Sequence, residues 1–119
     1  MPKDPKRKHR IESLLQKEIM QIVEHHLRDD KLQMININAV ALNGDLSVAY
    51  VYFTVIGNFE QANTEQQQHQ LNKSAPFIRK KVMQNVYLKR MPRLIFKFDA
   101  SIKNARHIDT MLSKVLNKQ

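Results

Sequence analysis

Apolar residues at Ile11, Leu14, Leu15, Ile19, Ile22, Val23 and Leu27 recur every three or four positions, the spacing that lines one face of an amphipathic helix. Glu24 and Arg28 stand one turn apart and add helix support, and Asp29 and Asp30 end the pattern. Between Met34 and Leu42 the period changes to two. Ile35, Ile37, Ala39 and Ala41 alternate with Asn36 and Asn38, which predicts a strand whose drier face carries the odd-numbered residues. Asn43-Gly44-Asp45 supplies a turn, because Asn and Gly take positive φ cheaply. Val48 to Ile56 is rich in β-branched and aromatic residues and closes at Gly57-Asn58, so an antiparallel hairpin is expected.

Residues 60 to 73 are polar and Gln-rich, readable either as a loop or as the start of a helix. Leu71, Ala75, Ile78, Val82 and Val86 then repeat at helical spacing on both sides of Pro76. Inside a continuous helix Pro76 leaves the Asn72 carbonyl without an amide donor, so the pattern predicts two helices joined by a kink, with Pro76 opening the second. Leu94, Phe96 and Phe98 alternate with Ile95 and Lys97 as a third strand, and Ile108, Met111, Leu112, Val115 and Leu116 form a closing helix. The expected architecture is α+β, in the order α-β-β-α-kink-α-β with a C-terminal helix. A three-stranded mixed sheet follows, with helices on one face and the last strand parallel to the first.

The chain has 119 residues, of which 42% are apolar, enough for one domain with a buried core and too few for two. It lacks cysteine, which excludes disulfides, thiolate metal sites and a cysteine nucleophile. No run reaches the roughly 20 apolar residues of a membrane helix, and the charged first ten residues hold no signal-peptide core. The protein is therefore expected to be soluble and unexported.

The net charge of +9 is unevenly placed. Residues 1 to 10 hold five bases and one acid, residues 11 to 65 hold three bases and eight acids, and residues 66 to 98 hold eight bases and no acid. A surplus confined to two segments makes a one-sided field that attracts a polyanion, with nucleic acid the leading class. A solvated basic surface or an anionic membrane would also answer to that charge.

At Lys73-Ser74-Ala75-Pro76 the first amides of a new helix would lack intrahelical partners, and such helix starts attract phosphate. Arg79, Lys80 and Lys81 follow in or near that first turn, where each cation costs about 0.3 to 1 kcal/mol unless an anion is bound; the alternative is screening by water and salt. Phe77 beside the break is expected to pack, the alternative being an exposed ring that stacks on a base. Lys89, Arg90 and Arg93 cluster around Pro92 as a second phosphate clamp, or as a solvated loop. Lys6, Arg7, Lys8 and Arg10, with Lys3, form a basic N-terminal arm over residues 1 to 10, in which Pro2 and Pro5 discourage early helix. Residues 11 to 119 then make the single folded domain.

Catalytic signatures are absent from the sequence. No two of His9, His25, His26, His69 and His107 stand three or four apart on one helix face, so no metal site is expected. The two glycines, Gly44 and Gly57, cannot make a phosphate-cradling loop, and Asp29-Asp30 has no neighbouring base. No enzyme and no cofactor are expected.

Several segments in ungapped order resemble the ribosome-binding factor A family. They are Arg10-Ile11 and Lys17-Glu18-Ile19, then Asp45-Leu46-Ser47 with Ala49, Val51 and Tyr52, then Phe77-Ile78-Arg79. Pro92 with Leu94 and Phe96 follows, and Asp99, Ser101-Ile102 and Arg106 to Leu112 complete the match. The resemblance implies a type II KH-like RNA-binding domain. It further implies a non-enzymatic cytoplasmic assembly factor that binds 16S rRNA and the 30S subunit near the neck and decoding region. Such a factor supports 5′-end rRNA processing and late maturation, especially in the cold, and is a monomer off the ribosome. Where ordinary KH domains place a G-x-x-G loop, this family has an interrupted A-x-G kink, and the matching positions here read Ser74-Ala75-Pro76. Beside the assembly factor stand two other readings: a permanent structural component of a ribonucleoprotein, and a hydrolase acting on RNA.

Overall fold

The computed structural model describes residues 5–26, 35–55 and 64–100. Its elements are α1 (Pro5–His26), β1 (Ile35–Leu42), β2 (Val48–Val55), α2 (Thr64–Asn85) and β3 (Arg93–Phe98). The closing helix expected over Ile108 to Leu116, the Gly57-Asn58 turn and Lys3 lie outside the described residues.

The sheet order is β1-β2-β3, with β1 antiparallel to β2 and β2 parallel to β3. It is a mixed three-stranded sheet, but the last strand runs parallel to the second rather than the first. Parallel neighbours need a long crossover, and α2 supplies it between β2 and β3.

Both helices cover the same face. Leu15, Ile19, Ile22 and Val23 of α1 and Leu71, Ala75, Ile78 and Val82 of α2 share one core with Val51, Phe53, Leu94 and Phe96 of the sheet. Phe53 and Phe98 meet edge to face with centroids 5.9 Å apart. In β1 the buried residues are Ile35, Ile37, Val40 and Leu42, so the drier face changes parity after Ile37 and Ala39 is exposed. A bulge at Asn38 causes the change, because one extra residue flips every later side chain to the other face.

The outer edges of the sheet are closed by helix side chains four residues apart. On β1, Glu12 Oε2 accepts the Leu42 N–H at 2.8 Å, and Gln16 Nε2 donates to the carbonyls of Ile37 (3.1 Å) and Asn38 (3.0 Å). Met20 Sδ takes the Ile37 N–H at 3.5 Å. On β3, the Asn72 carboxamide accepts the Phe96 N–H at 2.7 Å and donates to the Phe96 carbonyl at 3.0 Å. Gln68 Oε1 accepts the Phe98 N–H at 2.8 Å. Unpaired edge groups invite pairing with other chains, and these contacts occupy them.

Three local expectations are corrected. Pro5 opens α1 in the favoured first-turn position, so Lys6, Arg7, Lys8 and Arg10 stand on its first turns and not in a non-helical arm. Residues 64 to 85 form one helix with Pro76 inside it, in place of two helices joined at a kink. A mid-helix proline costs about 3 kcal/mol, whereas burying each of Leu71, Ile78 and Val82 returns roughly 1.5 to 3 kcal/mol, so packing on both sides keeps the helix whole. In the hairpin the left-handed residue is Leu46 (φ 61°), not Asn43 or Gly44. That strain, roughly 1 to 2 kcal/mol, is held by a bonded loop and by Leu46 packing against the core. The Leu46 N–H donates to the Asn43 carbonyl (3.1 Å), and the Asn43 carboxamide bonds the Val48 N–H (3.0 Å) and Ser47 Oγ (2.9 Å).

Two stability changes of opposite sign are expected in urea unfolding. Pro76→Ala restores an amide donor to the Asn72 carbonyl and raises stability by about 1 to 3 kcal/mol. Asn72→Leu strands both backbone groups of Phe96 and lowers it by about 1 to 3 kcal/mol. Equal midpoints for Pro76→Ala and the parent chain would contradict the packing account.

Candidate nucleic-acid interface

Three segments converge at one end of the molecule: the first turns of α1, the hairpin loop from Asn43 to Ser47, and the link from Val86 to Pro92 that joins α2 to β3. The link is fixed at both ends. The Val86 N–H extends the helical bonding to the Val82 carbonyl at 2.8 Å, and the Arg93 N–H reaches the Ser47 carbonyl at 2.9 Å. Between them Arg79 forks onto the link, with Nε on the Pro92 carbonyl at 3.1 Å and Nη2 on the Met91 carbonyl at 3.0 Å. Val86 and Pro92 are buried and Leu88 and Met91 pack on the core, while Tyr87, Lys89 and Arg90 face solvent.

Two depressions flank this link. Ala75, Pro76 and Leu94 wall the first, with Arg79, Arg90 and Arg93 around it and Ser47 at its rim. Its position follows from the edge closure: Gln68 and Asn72 cover Phe98 and Phe96, and one turn further on stands Pro76, which has no polar side chain to offer β3. The second is floored by Ile11, Leu46 and Leu88 and bordered by Arg7, Lys89 and Arg90. Arg90 borders both, so five cations from α1, α2, the link and β3 share one end of the fold.

Asp45 is the one acid among the residues lining either depression. Its carboxylate accepts the Ser47 hydroxyl at 2.6 Å and the Ser47 N–H at 3.0 Å. These bonds, helped by the Arg90 charge and Asn43, hold it below its ordinary value of 3.8 against a smaller opposing desolvation.

Of the residues singled out from the sequence, Arg7, Ala75, Pro76, Arg79, Lys89, Arg90 and Arg93 are brought to this end. Lys6, Lys8, Arg10, Lys73, Ser74, Lys80 and Lys81 line neither depression. Lys81 lies over the Phe77 ring, 5.7 Å from its centroid, and Phe77 is 43% exposed rather than packed. Because α2 is continuous, the amides following Pro76 sit inside a helix, where each pairs with the carbonyl four residues back. The helix-start argument for phosphate at Ser74-Ala75-Pro76 therefore falls, and with it the dipole penalty assigned to Arg79, Lys80 and Lys81. Tyr87, Ser47 and Asp45 were not picked out as site residues from the sequence. The signal for Tyr87 was its place as an aromatic between the helical pattern and the Lys89-Arg90 pair. Among the described residues there is no cluster of three metal-ligating side chains, and no helix is long and apolar enough to cross a membrane.

The ribosome-binding factor A family model matches residues 7–112. A ribosome-binding factor A of Saccharophagus degradans is 30% identical over 116 residues, covering 98% of this chain and 91% of that one. The crystal structure of ribosome-binding factor A from Thermus thermophilus superposes with a TM-score of 0.66 at 24% identity, over 76% of this chain and 93% of that chain. A Thermus thermophilus ribosome binding factor A homology model, fitted into a cryo-EM map of its 30S complex, gives 0.61 at 21% identity over 75% and 91%.

The Asp45 cap carries a defined pH signature. A carboxylate lowered by folding stabilises fully above its ordinary value and loses that contribution as pH falls through the lowered one. Thermal midpoints of Asp45→Asn and the parent chain, measured from pH 7 down to 2, should therefore differ most at neutral pH and converge below about pH 4. A constant gap across that range would mean that Asp45 does not cap the loop as a carboxylate.

Proposed function

Since the chain belongs to the ribosome-binding factor A family, we propose that it binds the 30S ribosomal subunit through 16S rRNA. In this reading it is a non-catalytic assembly factor that supports 5′-end rRNA processing and late subunit maturation, including growth in the cold. It works in the cytoplasm and as a monomer off the ribosome.

The observation that carries the reading is the gathering of Arg7, Arg79, Lys89, Arg90 and Arg93 around two shallow depressions that hold a single acid. Cations from four elements on a rigid scaffold suit a folded polyanion, whose phosphates lie at many angles. Further support comes from the Thermus factor of the same fold in its 30S complex. Arg79 has a double part. Its fork is spent on the Met91 and Pro92 carbonyls, so it places the link while its charge adds to the field. Lys6, Lys8, Arg10, Lys73, Lys80 and Lys81 would contribute at longer range, with Ser74, Ala75 and Pro76 beside them on α2. The family and its relatives are named for ribosome binding, which supports recognition without turnover.

Engagement of about five phosphates predicts that log affinity for rRNA falls with log salt at a slope of about −3 to −4. The double variant Lys89→Gln, Arg90→Gln should reduce that slope by about 1 to 2, weaken subunit binding and leave the thermal midpoint unchanged, because both side chains are exposed. Cofractionation with immature rather than mature 30S particles tests the assembly role. A salt-independent affinity rules out the phosphate contacts, and equal occupancy of mature particles points to a permanent component.

A further inference from the structure

Tyr87 is 93% exposed, more than any other large apolar residue described. The other described tyrosines differ: Tyr50 and Tyr52 are half-buried on β2, and the Lys97 ammonium covers the Tyr50 ring at 4.7 Å. Nor is Tyr87 on a loose tail. Its neighbours Val86 and Leu88 both turn into the protein, the Val86 N–H is bonded to α2, and Arg79 pins the far end of the link. The backbone on both sides therefore fixes the direction in which the ring leaves the surface. Burying a tyrosine is favourable, so a ring displayed this way on an anchored segment forgoes stability that nothing nearby in the fold returns.

We infer that Tyr87 stacks on an unpaired base of the RNA whose phosphates Lys89 and Arg90 hold. The inference rests on the proposed function above and deepens it. Lys89 and Arg90 lie two and three residues on, within about 7 to 11 Å along the chain, and both face solvent. A base on the ring thus carries its own or the neighbouring phosphate toward the two cations. The surroundings select this partner over a protein pocket. A protein pocket is met by a contiguous exposed apolar patch. Apart from Met83, 52% exposed on the preceding turn of α2, the chain next to Tyr87 does not supply one, since Val86, Leu88, Met91 and Pro92 point inward and Lys89 and Arg90 stand outside. Stacking is indifferent to base identity but needs an open base face, which a paired nucleotide in a helix does not offer. Tyr87 thereby makes this end selective for single-stranded over duplex RNA, a discrimination that phosphate contacts alone do not provide.

The chain has three tyrosines and no tryptophan, so its near-ultraviolet emission reports tyrosine directly. The full chain is titrated with an unstructured single-stranded RNA, with a duplex of equal length, and with 30S particles. Three variants are compared: Tyr87→Phe, Tyr87→Leu, and the double change Lys89→Gln with Arg90→Gln. Single strand should quench the parent's emission, and that quenching should disappear in Tyr87→Phe while its affinity stays within about twofold. Tyr87→Leu should lose about 5- to 100-fold in single-strand affinity, keep its duplex affinity and keep the parent's salt slope. The Lys89 and Arg90 variant should keep the quenching at low salt and show the shallower slope. Undiminished single-strand binding by Tyr87→Leu overturns the inference, as does quenching that persists in Tyr87→Phe. Weakened 30S binding with intact RNA binding would assign Tyr87 to a protein pocket, which also overturns it. A parent chain whose affinity ignores salt would instead sink the phosphate reading, so the two failures are distinguishable.

Discussion

A three-stranded sheet has only one interior strand, so the backbone groups along two of its edges must find partners outside the sheet. In this fold the helices provide them. Glu12, Gln16 and Met20 bond the outer edge of β1, and Gln68 and Asn72 bond that of β3. The spacing of four places these side chains in a row along each helix while the apolar residues beside them enter the core. The same contacts orient the elements. Glu12 meets Leu42 and Gln16 meets Ile37, so α1 must run against β1; Gln68 meets Phe98 and Asn72 meets Phe96, so α2 runs against β3. Helix placement is thereby a matter of hydrogen-bond register as well as of buried area.

The β3 row continues in a different form beyond Asn72. Pro76 offers no donor or acceptor to Leu94, and Arg79, almost another turn on, reaches past the strand to the Met91 and Pro92 carbonyls. One turn of the seam is left open, and the link beyond it is held by a guanidinium. Opening and anchorage together make the end of the molecule where the cations collect. A lysine at position 79 would carry the same charge but could not fork onto two carbonyls, so the charge of that side chain and its geometry serve separate ends.

How much of this was legible in the sequence depended on whether a feature was periodic. Ile11 through Val23 and Leu71 through Val82 announced their helices, Val48 through Val55 and Leu94 through Phe98 their strands, because burial on one face imposes a period that the residues must obey. Features set by one residue against its tertiary surroundings were not legible. Asn38 looks like one more alternating position until the Gln16 amide is seen on the bulge carbonyls. Pro76 reads as a helix break by every local rule, and only the burial around it overrides that rule. Leu46 takes the left-handed position that the neighbouring Gly44 suits better, because its side chain has core to cover and that of Gly44 does not exist. For the candidate site, the sequence supplied the cationic segments but not their grouping. Arg7 lies more than eighty positions from Arg90 in the chain and borders the same depression, while Lys80, next to Arg79, does not.

Three departures from local preference stand at the end of the molecule that carries the cations. Pro76 sits in the wall of the first depression, Leu46 in the floor of the second, and Tyr87 on the link between them. Each sacrifices something a stable fold would keep: a helical hydrogen bond, a relaxed backbone, the burial of an aromatic ring. Sequences agree with their folds at every level except where another requirement competes, and such exceptions gather at working surfaces. The five cations alone could be read as solvation. Their position at the same end as a proline inside a helix, a left-handed leucine and an unsheltered tyrosine supports the proposed rRNA contact over solvation alone.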